Sequence, residues 1–527
     1  GTRPLRHRSM LPADDMAPNR VRLMGNDVDM PQSSSVLPWQ AVDPIEETLL
    51  HRKVGVMGMV FIAFFWVSGG LYGNEELIGA APPLYVLIMI VAMPLVFSLP
   101  IALITAELAS AFPVDGGQCV YVQRACGDKL GGHNCYFVFI TNVVDATVYP
   151  LIAVQYLGYH LEITYLGGRL IAMTMIAAVT VINVGGLEVL TRFQGIIFVV
   201  TLLPCLIFIA FGLPELDVRA VLETEGSPVN WSLLFAWVIW LYSGFSSLGT
   251  IAGETADPHR TYVQTIAILM PLVITLNAVP FLVALSHDPD TSHYQAGYFA
   301  QLALEMAGSW LRLAIVVGSN VALVGLFNSQ AITAQCTAFF FVESRPTYKQ
   351  IRLDALARSR LPSASSLGRN ALPWLLEVPA SGVPRIYVLF TAAVSCCLVW
   401  LPYGMLVEFE VLLYCVSTLL FLFSFVYLRA VHPDAKRAFQ VGRGVRGAVL
   451  LVVVPVLICV VNIYVGLFVE PYGTCDDGGA RRLDAAAADD VIQEPPPLAW
   501  DPGPNFKQQG FVTVLLIGAF VHACAEI

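Results

Sequence analysis

Of the 527 residues, 56% are hydrophobic and only 13% are charged, against roughly 25% charged in an ordinary soluble domain. That balance excludes a water-soluble globular fold, and the net charge of −10 does not set orientation, which follows the placement of Lys and Arg. No paired nucleophile and base, metal-ligand spacing or phosphate-binding loop is present, so an enzyme, a cofactor, a metal and a nucleic-acid partner are not expected.

The first 50 residues are polar, with Arg3, Arg6, Arg8, Arg20 and Arg22 among prolines and acids, and 1–53 read as a disordered cytosolic tail. Apolar runs of roughly 20 residues, the length that crosses about 30 Å of hydrocarbon, then fall at 54–80, 84–112, 131–160, 168–186, 190–212, 231–256, 263–286, 310–342, 386–402, 408–428, 445–469 and 511–526. The pattern predicts an all-α membrane protein of about 12 transmembrane helices. Residues 54–212 form a first five-helix repeat, and 231–428 a second that contains a basic cytosolic loop at 344–385. Residues 445–527 hold the last two helices, separated by an acidic, low-complexity extracytosolic loop at 470–510. With the amino terminus inside, most of the 29 Lys and Arg lie on that side, and the other side keeps Arg169, Arg219, Arg312, Arg481, Arg482 and Lys507. Both termini are therefore expected in the cytosol. The eleven Cys include no CxxC pair and imply no disulfide framework.

Two runs are interrupted. The first reads Ser68-Gly69-Gly70-Leu71-Tyr72-Gly73-Asn74-Glu75-Glu76, and the sixth reads Trp240-Leu241-Tyr242-Ser243-Gly244-Phe245-Ser246-Ser247. Small residues permit close helix packing, which would explain either interruption alone. Breaks at corresponding places in two five-helix halves point instead to a 5+5 inverted repeat with its binding site at the membrane midplane. Unwound backbone frees N–H and C=O groups that hydrocarbon cannot satisfy, and a ligand cavity accounts for them.

Acids inside the first, second, third and sixth runs are few: Glu75, Glu76, Glu107, Asp145 and Glu254. Each costs roughly 2.5–3.5 kcal/mol at the bilayer centre, and those spans hold no Lys or Arg to balance them. A cationic ligand, a coupling proton or both would supply the missing charge. Asp145 and Tyr149 are four residues apart and share one helix face. Trp237, Trp240 and Tyr242 flank the second break, and Tyr414 lies on the tenth run. Aromatic rings beside a carboxylate suit an alkylammonium through cation–π attraction and methylene burial, although Trp and Tyr also mark membrane interfaces. Glu107 and Glu254 lie near the inner ends of their runs and are candidates for gating or proton coupling.

At these residues the sequence resembles the amino acid/polyamine/organocation transporters, and within them the plant and trypanosomatid polyamine-uptake branch. Ser68-Gly69-Gly70 with Gly73 and Glu75 looks like the first-helix signature, and Thr105-Ala106-Glu107-Leu108 with Phe112-Pro113 and Gly116-Gly117 like the second. Asp145-Ala146-Thr147-Val148-Tyr149-Pro150, Ala252-Gly253-Glu254 with Asp257-Pro258, and Val407-Glu408-Phe409 with Leu413-Tyr414-Cys415 follow in order, and the match runs from about Val54 to Val469. The resemblance implies a leucine-transporter-like fold with helices 1 and 6 broken around the site. It also implies import of putrescine, spermidine or related amines at the plasma membrane, driven by protons. The expected substrate-binding set is Asp145, Tyr149, Glu75, Ser68, Gly69, Gly70, Trp240, Tyr242, Ser243 and Tyr414. An amino acid transporter on the same fold is the alternative, and an amine receptor that does not transport is a rival of another class.

Overall fold

The computed structural model describes residues 20–23, 26–29, 54–184, 187–217, 219, 229–343, 354, 385–433, 435 and 437–468. The expected last helix at 511–526, the loop at 470–510 and nearly all of 344–384 lie outside them. The chain divides into two units, 1–41 and 42–527. In the first, β1 (Arg20–Leu23) and β2 (Asn26–Asp29) form an antiparallel hairpin with Arg20 opposite Asp29 and Leu23 opposite Asn26. The rest of the expected tail lies outside the described residues.

The second unit is helical. Helix α1 (Val56–Val67) is apolar throughout and stops where the Ser-Gly-Gly sequence begins. Ser68 is extended (φ −161°, ψ 141°), and Gly70 and Gly73 take φ of 89° and 84°, a region that side-chain-bearing residues rarely enter. A short 3₁₀ helix, Glu75–Ala80, follows. Helix α2 (Pro83–Ala111) contains a π turn at Pro94–Ser98, where Pro94 lacks the N–H that would continue the ladder.

Helix α3 (Gln118–Gly158) is interrupted at Gly127 (φ 83°, ψ 177°), and the apolar run expected from 131 lies on the part that follows the interruption. Helices α4 (Tyr165–Val184) and α5 (Leu187–Gly212) follow. Helix α6 (Trp231–Leu241) starts with Asn230 Oδ1 accepting from the Leu233 amide at 3.1 Å. It breaks at Tyr242 (φ −128°, ψ 16°) and continues as a 3₁₀ helix, Ser243–Ile251.

Helix α7 (Pro258–His287) is followed by α8 (Tyr298–Ala307), a connecting helix that the hydropathy pattern did not single out, and by α9 (Ser309–Glu343). Helices α10 (Arg385–Leu398), α11 (Tyr403–Val431) and α12 (Gly444–Phe468) end the described chain. Among the described residues nine helices are long and apolar enough to cross a membrane, and α1 and α10 are shorter apolar helices.

Burial sorts these helices into centre and rim. The most apolar window is 83% buried in α3 and 89% buried through α6, but only 28% in α4 and 33% in α12. The exposed positions of the rim helices are apolar, as at Val181, Leu450 and Leu457, which is the surface a lipid environment requires. Helix α3 packs against both α9 and α11.

The two interrupted segments are joined to each other. The Val54 amide donates to the Glu254 carbonyl at 3.0 Å, and the Ala256 amide donates to the Val54 carbonyl at 2.9 Å. At the other end Gly244 sits on the Trp66 backbone so closely that an added Cβ would overlap the carbonyl. A third contact comes from the loop after α2. Its Gly116 amide donates to the Thr250 carbonyl at 3.0 Å, and Asp115 accepts from the Gly253 amide at 2.9 Å.

Candidate functional site

At the break in α6 side chains from α2, α11 and the break itself donate to backbone carbonyls. Ser98 Oγ donates to the Tyr242 carbonyl at 3.0 Å, Tyr414 Oη to the Ser243 carbonyl at 2.7 Å, and Ser243 Oγ to the Trp240 carbonyl at 3.1 Å. The break is thereby fixed in shape rather than left as slack chain.

Asp145 on α3 faces this break and is 3% exposed. Its Oδ1 accepts from Tyr149 Oη at 2.9 Å and from Trp240 Nε1 at 2.8 Å. The Tyr149 and Trp240 rings stack with centroids 5.9 Å apart and planes 24° from parallel, and Trp237 meets Trp240 edge-on at 5.1 Å. Both donors are neutral, and no described Lys or Arg forms an ion pair with Asp145. The carboxylate is therefore oriented without being charge-compensated.

Asp145, Ser243, Gly244, Gln330, Glu410 and Tyr414, with further Ser, Thr and Asn side chains, line a narrow cavity of about 20 Å³ between α3, the α6 break, α9 and α11. Its described wall carries two carboxylates and no Lys, Arg or His. Such a wall favours a cationic guest and repels an anionic one.

Other expected site residues lie elsewhere. Tyr242 points to α2, where its hydroxyl donates to the Ile90 carbonyl at 2.8 Å. Ser68 folds back on its own break, its Oγ accepting from the Gly70 amide at 3.2 Å, and Gly69 packs against Leu326. Glu75 is fully buried beyond the break, where it accepts from Tyr156 Oη and from the Gly297 amide at 3.1 Å. It thus ties the end of the first interrupted segment to α3 and to the loop before α8. Of the expected set, Asp145, Ser243 and Tyr414 line the Asp145 cavity, and Glu75, Ser68, Gly69, Gly70, Tyr242, Tyr149 and Trp240 are not among its lining residues.

That loop holds a small charged cluster outside the spans. Burial alone would raise the Asp288 carboxyl, but hydrogen bonds from Tyr298 and His293 outweigh it and hold the group below the usual range. The Asp288 hydrogen bond, Nδ1 to Oδ2 at 2.8 Å, in turn raises His293 above its ordinary value.

Glu107 corrects the expectation of uncompensated acids. Arg429 at the end of α11 donates to it from Nε at 2.7 Å and from Nη2, Arg437 Nε lies 3.2 Å away, and the Val441 amide donates at 2.9 Å. Two guanidinium groups and a backbone N–H clamp α2 to the connection between α11 and α12. The Glu254 carbonyl serves the α1–α6 joint through Val54.

A family model described as an amino acid permease matches residues 55–475. The chain belongs to the amino acid permease family. The permease is 28% identical over 434 residues to polyamine transporter RMV1 of Arabidopsis thaliana, covering 81% of this chain and 84% of that protein. It is 29% identical over 409 residues to polyamine transporter PUT1 of Oryza sativa subsp. japonica, covering 77% and 72%. A probable polyamine transporter of Arabidopsis thaliana is 28% identical over 437 residues, covering 82% and 83%. The family is one of membrane transporters rather than enzymes.

One charged wall residue of the permease was not singled out from sequence. Glu410 is 1% exposed, lines the cavity with Asp145, and its Oε2 has no hydrogen-bond partner among the described residues. The signal was present: Glu410 and Tyr414 repeat on α11 the acid and Tyr, four residues apart, that Asp145 and Tyr149 form on α3.

Proposed function

We propose that this permease is a secondary active transporter that imports polyamines such as putrescine and spermidine. The observation that carries the reading is Asp145, buried in a cavity wall without a basic side chain and framed by the stacked Trp240 and Tyr149 rings. An ammonium binds at Asp145, its charge completed by the carboxylate and the ring faces, and its methylenes replace water in the slot. Ser243 and Tyr414 hold the break against which the ligand rests. The names of RMV1 and PUT1 support the same substrate class.

Transport proceeds by alternating access in a leucine-transporter-like arrangement of about twelve helices, with a 5+5 inverted repeat and both termini cytosolic. The interrupted segments of the first and sixth spans rock against the remainder. Glu107, held by Arg429 and Arg437, serves the inner gate, and Glu75 with Tyr156 and Gly297 serves the opposite one. The expected membrane is the plasma membrane, and coupling is to protons carried by a buried acid of the transport path.

Radiolabelled putrescine and spermidine uptake by reconstituted protein tests this, wild type against Asp145→Asn. Unchanged flux in the variant removes the site. Inhibition by arginine or leucine but not by putrescine makes the substrate an amino acid, and binding without flux makes the protein a receptor. Uptake indifferent to external pH and to protonophores ends the proton coupling.

A further inference from the structure

We propose that Glu410 is the second anionic contact of the cavity, binding the far ammonium of a guest whose near ammonium sits at Asp145, so that the site selects cations carrying two or more charges. This inference rests on the polyamine reading above and goes further by naming what separates a polyamine from a monoamine.

The geometry has three parts. Helices α3 and α11 pack on each other and each presents an acid and a Tyr four residues apart, and Asp145, Glu410 and Tyr414 line the same cavity. The two acids are satisfied differently. Asp145 Oδ1 already accepts two hydrogen bonds, from Trp240 and Tyr149. Glu410 Oε2 accepts none among the described residues, and its helical neighbour Tyr414 spends its hydroxyl hydrogen on the Ser243 carbonyl. The polar remainder of the wall is neutral: Ser, Thr, Asn, Gln and Tyr side chains and no described Lys, Arg or His.

Two buried carboxylates without a cation are costly unless something neutralises both. One ammonium balances one carboxylate and leaves the other. A diamine balances both, and its methylenes then lie between the two carboxylates, with Val138 and the Tyr414 ring as the apolar part of an otherwise polar wall. The same pairing rejects ligands that carry a carboxylate at one end, because that end would face Asp145 or Glu410.

The test compares uptake of putrescine and butylamine, similar in length and differing in one ammonium, by the reconstituted full chain. Wild type is expected to favour putrescine. In Glu410→Gln the KM for putrescine rises about tenfold to a hundredfold, the loss of one charge-assisted hydrogen bond, while that for butylamine stays as in wild type. Glu410→Asp keeps the charge but retracts it by one methylene, so the preference for diamines persists and the best substrate in the series of diaminopropane, putrescine and cadaverine becomes one carbon longer.

Equal loss of both amines in Glu410→Gln, as for a residue that only carries a proton or only supports the fold, overturns the proposal, and so does an unchanged ratio. If Glu410→Gln does not assemble, an unmoved chain-length optimum in Glu410→Asp overturns it instead. A wild type that moves no amine at all defeats the polyamine reading itself, which separates the two failures.

Discussion

The Trp240 indole N–H, just before the α6 break, donates to Asp145 Oδ1 at 2.8 Å, so the ring that stacks on Tyr149 also aims the cavity carboxylate. Trp240→Phe keeps an aromatic face and removes the donor. A hydrogen bond to a charged group contributes roughly 1.5–3 kcal/mol, so the variant is expected to raise the KM for putrescine about tenfold or more. Trp240→Ala, which also loses the cation–π face, falls further. Uptake kinetics for the two variants measured side by side check this, and equal values for Phe and Ala would remove the ring from the binding account.

Arg429→Ala leaves Glu107 buried with Arg437 as its remaining cation. Breaking a buried pair from one side costs about 3–5 kcal/mol, and the surviving guanidinium puts the expected loss at about 3 kcal/mol. Thermal unfolding of purified protein should show a clear drop in Tm, and Glu107→Gln combined with Arg429→Gln should recover part of it. A double variant no better than Arg429→Ala contradicts the pairing.

Gly244→Ala places a methyl group against the Trp66 carbonyl, where backbone rather than a flexible side chain must yield. Overpacking typically costs about 1–3 kcal/mol, and transport should be lost before the fold is. Gly404→Ala, with nothing within 4 Å of the added carbon, is the control and should leave both unchanged. Normal uptake in Gly244→Ala would show that the two segments do not meet as described.

The Asp288–His293 pair makes the loop before α8 sensitive to pH. His293 is raised in the folded protein, so its contribution is complete below its unfolded value near 6.5 and disappears as pH rises through the raised value. Asp288 is lowered, so its contribution holds above the unfolded carboxyl value and is lost as pH falls through the lowered one. Amide exchange over residues 288–297, corrected for intrinsic rates, should be slower at about pH 6 than at about pH 9. His293→Gln should erase the difference, and because Gly297 donates to Glu75 the effect should reach the Tyr156 contact.

Much of this was legible in the chain. The interruptions at Ser68-Gly69-Gly70 and Tyr242-Ser243-Gly244 are local composition, and glycines at positive φ act through their own backbone, so the breaks could be read directly. Asp145 with Tyr149 is a four-residue spacing and needs only helical geometry. The partners were harder. Arg429 reaches Glu107 across 322 positions, and no periodicity links them. Glu75 and Asp145 were grouped because both are buried acids, yet they face different surroundings, since a non-helical turn between Ser68 and Glu75 carries the second half of the segment away from the cavity. Tyr242 adjoins the break in sequence but leaves it in space, drawn to the Ile90 carbonyl beside the π turn of α2.

The joint at Val54, Glu254 and Ala256 and the seat of Gly244 on Trp66 bind two segments that lie nearly two hundred positions apart. Fastened at both ends, the stretches 54–66 and 244–256 are expected to move as one body. A substitution that stiffens either one should therefore slow the passage of both, and a label attached to one will report the travel of its companion.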